Sequence, residues 1–156
     1  MSSSPVRRTR VPQEMDGGKE FARSAYSSAF ELSAANVASL TPEQWARAVF
    51  EGAPAVVRWI LLLGWRRVLG LRLRLSSPES VLGWSVADRG PGTLTLEAHS
   101  RLIGARNVVL VREGSVVWVT FVRFNRPIAR PIWGLAAPVH HAVIPWLLRR
   151  GLPKTP

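Results

Sequence analysis

The sequence predicts a single α+β domain, and three stretches carry that expectation. Apolar residues recur at helical spacing between residues 42 and 69. From residue 81 to 124 they alternate instead, the period of half-buried strands. Beyond residue 127 comes a long run, uncharged from Pro131 to Leu148, with the length of a helix. Hydrophobic residues make up 47% of the 156, enough to bury one core of ordinary size. The organisation read from the chain is a flexible tail over residues 1–23, one domain over 24–152 and a short tail over 153–156.

The elements follow in order. AYSSAFEL alternates Tyr26, Phe30 and Leu32 with small residues and reads as a first strand. Thr41-Pro-Glu-Gln is a helix start: Thr41 caps, Pro42 suits the first turn and Gln44 completes a capping box. That helix carries Trp45, Val49 and Phe50. Pro54 opens a second helix through Ile60, Leu61, Val68 and Leu69, and Gly70 stops it. VLGWSVAD (81–88) reads as one strand, followed by a turn at Arg89-Gly-Pro-Gly92. Residues 93–100, 102–111 and 115–124 give three more strands, with a tight turn at Glu113-Gly114. Short links between them imply an antiparallel meander. The stretch Pro127–Leu152 reads as a long helix, bent or broken by Pro131, Pro138 and Pro145. Ile132, Val139 and Trp146 recur every seven residues on it as a candidate packing stripe.

The strand at 115–124 is apolar on both faces: Val117, Val119 and Phe121 on one, Val116, Trp118 and Val122 on the other. A sheet with one wet face does not need this. Either helices cover both faces or one face meets another subunit, and the expectation drawn from it is a homo-oligomer.

Charge is lopsided, with 21 Lys+Arg against 10 Asp+Glu and a net +11. Only Lys19 and Lys154 are lysines, so the other 19 are arginines. Arginine enrichment of this kind comes either from a GC-rich genome or from an acidic partner. No cysteine is present, which excludes disulfides, thiolate nucleophiles and cysteine metal sites. The basic N-terminal segment has no apolar run behind it and does not read as a secretory signal. The apolar stretch Trp59–Trp65 is seven residues long and flanked by Arg58 and Arg66, too short to span a bilayer. No membrane span is expected, and the expected location is cytoplasmic.

The element order resembles the helix-grip fold of the START-like superfamily, which includes polyketide cyclases and lipid-binding proteins. That resemblance implies a curved antiparallel sheet gripping the long C-terminal helix, with an apolar ligand held between them. The segments TPEQWARAVFEGAP, LGWRRVLGL, VLGW, FVRFNRPIARPIW and PVHHAVIPWLLRR also resemble an uncharacterised actinobacterial family sometimes joined to nucleotide-binding oxidoreductase domains.

Few chemistries have a signature. Neither GxGxxG, the P-loop pattern nor a GxSxG elbow occurs. His140 and His141 are adjacent, so on a helix they point about 100° apart and do not readily share a metal. No metal and no cofactor are expected. Glu97 and His99 share one strand face and read either as an acid–base pair or as part of a wet face with Thr93 and Thr95. Arg106, Asn107, Arg123 and Asn125 are polar residues within apolar strands. Seven tryptophans, spread over all three helices and two of the strands, suit either plain core packing or a pocket for an extended apolar ligand. They are not interleaved with arginine on one face, which counts against stacking of nucleic-acid bases.

The functional expectation is therefore a hydrophobic small molecule, polyketide-like or lipid, bound in a Trp-lined pocket. Trp65, Trp84, Trp118 and Trp133 are the expected walls, with Tyr26 beside them; His99, Arg123 and Asn107 are the polar candidates for catalysis. Any reaction there would be a cofactor-free cyclisation or isomerisation, in which the pocket folds a reactive chain. The alternatives are a non-catalytic lipid-binding or accessory domain and, behind it, a basic nucleic-acid binder.

Overall fold

The computed structural model describes residues 6–12, 26–74 and 77–152. Two strands come first, β1 (Val6–Thr9) and β2 (Tyr26–Ser33). Helices α1 (Pro42–Phe50) and α2 (Ala55–Leu63) follow, the latter continued by a π-turn at Gly64–Val68. Strands β3 (Ser80–Val81), β4 (Trp84–Gly90), β5 (Thr93–His99), β6 (Ile103–Val111) and β7 (Ser115–Phe124) lead to helix α3 (Ala129–Gly151). The seven strands form one curved, open antiparallel sheet in the order β1-β2-β7-β6-β5-β4-β3. Helix α3 packs against α1, β1 and β2. This is the expected α+β architecture, a curved sheet around a long C-terminal helix with two short helices after the first strands.

The start of α1 is formed as its sequence dictates. Thr41 Oγ1 accepts from the Gln44 backbone N–H at 3.1 Å, and Gln44 Oε1 accepts from the Thr41 N–H at 2.9 Å. Trp45, Ala46, Val49 and Phe50 are buried. The Trp45 indole donates to the Val37 carbonyl at 2.8 Å. A Cβ on Gly151 would come within 3.2 Å of the Trp45 ring, so glycine lets the end of α3 close onto α1. Helix α3 is one helix of 23 residues with Pro138 and Pro145 inside it. Its buried side is Ala129, Trp133, Ile144, Leu147 and Leu148, whereas Val139 and Trp146 are exposed. Of the heptad stripe expected to pack, only Ile132 packs against the core, while Val139 and Trp146 end at the surface.

Two strand expectations are corrected. Residues 81–88 are not one strand: β3 and β4 form a hairpin through Leu82 and Gly83, both with positive φ (45° and 92°). Such a two-residue turn matches the twist of paired strands. It is held by Glu51, whose Oε2 accepts from the Leu82 N–H at 3.2 Å. The second correction falls within residues 1–23, read as a tail. Val6–Thr9 pairs antiparallel with β2, and Arg7 Nη2 reaches Glu31 Oε1 at 2.8 Å. The remaining residues of that stretch lie outside the described residues, apart from Arg10–Pro12.

The sheet has two buried faces. On the helix side lie Phe30, Leu32, Leu94, Leu96, Ile103, Val109, Trp118 and Val122. On the opposite side Ala29, Val108, Leu110, Val117, Val119 and Phe121 form a second cluster, with Val11 packed against it. The two-sided pattern of β7 is therefore satisfied within one chain, and it no longer calls for a partner subunit. Among the described residues, no single helix is long and apolar enough to cross a membrane; α1 and α2 with its π-turn reach that length only as a pair bent by 92°.

One buried polar group sits at the centre of the helix-side face. Asn107 on β6 lies directly across from Thr120 on β7. Its Oδ1 accepts from Thr120 Oγ1 at 2.7 Å and from Trp118 Nε1 at 3.1 Å. Replacing Asn107→Leu keeps the branched outline of the side chain but strands both donors, each costing about 1–3 kcal/mol when buried without a partner. Urea unfolding of the variant should show a loss in that range or above. An unchanged midpoint would mean that the two donors find other partners.

Candidate functional site

A cavity of about 340 Å³ lies between the helix-side face of the sheet and the two helices α2 and α3. Its floor is Ile103, Ala105 and Asn107 of β6, Thr120 and Val122 of β7, and Trp84 of β4. Ala105 matters there, because a small side chain on the floor leaves room above it. One wall comes from Phe50, Leu61, Trp65 and Leu69. The other is α3, contributing Trp133, Ala136, His140, Val143 and Ile144. These fall at intervals of three and four, on one face of the helix. The mouth is framed by Ile60, Val68, Leu135 and Val139, which line the cavity yet are exposed.

The rings are arranged edge to face. Trp65 and Trp84 have centroids 5.5 Å apart, and Phe50 stands 5.0 Å from Trp65 and 5.0 Å from Trp118. Edge-to-face contact places the positive ring edge against the negative ring face, the favoured geometry for aromatic pairs. On α3, Trp133 lies 5.0 Å from Tyr26 and 5.7 Å from His140. The result is a rigid aromatic enclosure rather than a loose apolar gap.

No lining residue carries a formal charge. Three lining residues nevertheless hold a buried ring nitrogen without a hydrogen-bond partner: Trp84 Nε1, Trp133 Nε1 and His140 Nε2. Unpartnered buried polar atoms are rare, because each forfeits its bonds to water. Here three occur around one cavity. Two are indole N–H groups, which can only donate.

His140 is held neutral. Burial pushes its pKa down to about 3, with nearby His141 and Arg8 adding to the effect. The next residue points elsewhere: the Tyr26 hydroxyl bonds His141 Nε2. Burial lowers the His141 pKa and Arg8 adds to it, while burial raises that of Tyr26. Both imidazoles and the phenol are thus uncharged near neutral pH.

The residues expected at the site separate by sheet face. Trp65, Trp84, Trp133 and Asn107 line the cavity. Trp118 is fully buried beneath the floor and bonded to Asn107, so it supports the site without lining it. Tyr26 stands behind Trp133 and also lies outside the lining. His99 and Arg123 are on the opposite face of the sheet, both flanking Gly104, and Arg123 Nε donates to Asn125 Oδ1 at 3.2 Å. Side-chain direction alternates along a strand, so odd-numbered positions of β5 and β7 face away from the helices. Glu97 shares that face and accepts from Arg106 Nε at 2.8 Å across the strand pair. The catalytic candidates therefore do not converge; only Asn107 reaches the cavity, with its carbonyl oxygen already accepting twice. His140, which the sequence reading did not place at a site, does reach it.

Comparison with known proteins finds no match: no family model, no curated protein and no solved structure matches this chain.

The neutral imidazole has a consequence for stability. In an unfolded chain His140 protonates near the ordinary value of 6.5, whereas in the fold it resists protonation to about 3. Between those values the unfolded state binds more protons, so stability falls as pH falls through that window. His141 acts in the same direction. The urea midpoint should therefore decline already between about pH 6.5 and 5, above the range where carboxylates protonate. In His140→Phe that early decline should flatten; an identical pH profile would place the sensitivity elsewhere.

Proposed function

We propose that this domain binds a neutral, largely apolar small molecule in the cavity, and that it does so as a START-like, helix-grip binding protein. The observation that carries this reading is the pairing of an uncharged aromatic enclosure with three orphaned ring nitrogens. A volume of about 340 Å³ falls at the small end of ordinary ligand sites. The apolar lining favours a hydrocarbon or polycyclic body. The two indole N–H groups would supply donors to a carbonyl, ether or hydroxyl oxygen on that body, and His140 Nε2 a third polar contact whose sense depends on its tautomer. Such a ligand would satisfy atoms that otherwise stay unbonded, so part of its affinity would come from relieving that cost. Lipids and polyketide-like compounds have this chemistry. An anionic head group would not fit inside, because no cation lines the cavity.

Binding without turnover is the form best supported. A weakly basic, neutral His140 is a poor general base, and no carboxylate lines the cavity. A cofactor-free cyclisation or isomerisation would have to rest on shape and on the two indole donors alone.

Two measurements test the reading. Native mass spectrometry of protein purified from its own host should show about one apolar compound retained per chain. Protein recovered empty from cells rich in such metabolites would count against it. For any compound so identified, Trp133→Phe keeps an aromatic ring but removes one donor and part of the indole's contact area. Its affinity should fall by at least about three- to tenfold, the worth of one neutral hydrogen bond, in protein whose circular dichroism shows the fold retained. An unaltered affinity would remove Trp133 from the polar contacts.

A further inference from the structure

Helix α2 is anomalous for a helix on a folded domain. Its sequence, AVVRWILLL, carries one charge in nine residues, yet none of the nine is buried. Val56 is 69% exposed, Trp59 64%, Ile60 49% and Leu63 43%. These four fall at intervals of three and four, so they form one outward stripe. Across the mouth, α3 adds Leu135 at 77% and Val139 at 51%. Single exposed apolar residues need no explanation, but a contiguous patch on two elements around one opening does.

The charges on the chain segments that carry the patch have one sign. From Gly52 to Pro78 the sequence holds five arginines and no carboxylate. Arg66 and Arg67, on the π-turn that extends α2, are exposed. From Gly114 to the last residue there is again no Asp or Glu, so α3 and its flanks are free of acid as well. Exposed apolar side chains with arginines at one end are the surface of an element suited to a bilayer interface, its apolar side among acyl chains and its cations among head-group phosphates. Helix α2 with its π-turn spans 14 residues, too few to cross a bilayer but sufficient to lie along its surface.

We propose that the cavity mouth docks on an anionic lipid bilayer, with Val56, Trp59, Ile60 and Leu63 of α2 and Leu135 of α3 inserted and Arg66 and Arg67 against the phosphates. A second copy of the chain fits this surface less well. A two-fold contact brings the same patch of each copy together, with its arginines and without any carboxylate from these elements to neutralise them. The docking surface stands whether or not the cavity is filled. That the bilayer delivers the ligand rests on the pocket reading above, since Ile60 and Leu135 belong to both mouth and patch.

Vesicle sedimentation tests this with the full chain. Protein should pellet with phosphatidylcholine vesicles containing phosphatidylglycerol, and much less with phosphatidylcholine alone. Raising salt should weaken binding, since the arginine contribution is screened. Trp59→Asp should lower the partition coefficient about tenfold or more, the scale of losing one large buried apolar side chain. Arg66→Glu and Arg67→Glu should each lower it at least about fivefold, and Arg66→Lys should retain it. All these residues are exposed or at the rim, so circular dichroism and the urea midpoint should stay close to those of the parent. Absence of binding to anionic vesicles at low salt overturns the proposal. Equal binding to uncharged vesicles overturns the anionic assignment. A dimer in light scattering that Trp59→Asp dissolves, without vesicle binding, overturns it in favour of a second copy. Vesicle binding by protein that retains no ligand upholds the docking surface and removes the pocket reading; ligand retention without vesicle binding does the reverse.

Discussion

The buried amide of Asn107 is the constraint on which the centre of the fold depends. Strand β7 carries apolar residues on both faces, and both faces are buried. In a half-wet sheet, a slip of one residue would throw the apolar set into water, and burial alone would fix the register. Here a slip exchanges one apolar face for another, so burial discriminates weakly. The polar trio does discriminate. Only the observed register sets Asn107 opposite Thr120 and beside the Trp118 indole, with both donors satisfied by one oxygen. Any neighbouring register leaves an amide, a hydroxyl and an indole N–H buried without partners, a cost of several times the typical 1–3 kcal/mol for one such group. A few hydrogen bonds thereby select among pairings that the hydrophobic effect scarcely separates.

The same trio forms part of the cavity floor, which links fold specificity to the site. Above it, the helices do not close. Helix α1 is anchored by its capping box and by four buried residues, and α3 meets it through Gly151 against Trp45. Helix α2 has no such anchor. It follows α1 after the break at Gly52-Ala-Pro54 and leans over the sheet without burying any residue completely. The gap between α2 and α3 is the cavity. Its rim is apolar because the side chains that would have filled a closed core here end at the opening instead.

How much of this was legible in the sequence depends on the range of the interaction that decides each feature. The start of α1 is local: Thr41, Pro42 and Gln44 specify it within four residues, and the structure forms that box. The hairpin at Leu82-Gly83 was hidden because Val81, Leu82 and Trp84 read as one apolar strand, and its deciding contact comes from Glu51, distant in sequence. Strand β1 was hidden for the same reason, since VRRT has one apolar residue and is fixed by pairing with β2 and by Glu31. At the site, the residue types were legible but the parity was not. Asn107, His99 and Arg123 are equally polar residues in or at the end of apolar strands, and only the sheet's sidedness sends one inward and two outward. His140 carried a signal that was available. It lies seven residues after Trp133 and four before Ile144, on the buried face of α3, while the stripe through Val139 and Trp146 was the outward one.

The distribution of charge ties these features together. The chain carries a net +11, yet its cavity is lined by no charged group. The charged side chains therefore lie outside the cavity lining, and a neutral molecule inside would gain little net attraction from them. Inside, selection would rest on shape and on three ring nitrogens, which act only over hydrogen-bond distance. Outside, arginines act over roughly a Debye length of about 8–10 Å and have no selectivity among neutral apolar molecules. Under the proposed function, a surface that is cationic and apolar around a neutral interior would separate where the protein goes from what it holds. Changing the rim arginines should then alter the first and leave the second intact, as two independent contributions on side chains that share no hydrogen bond.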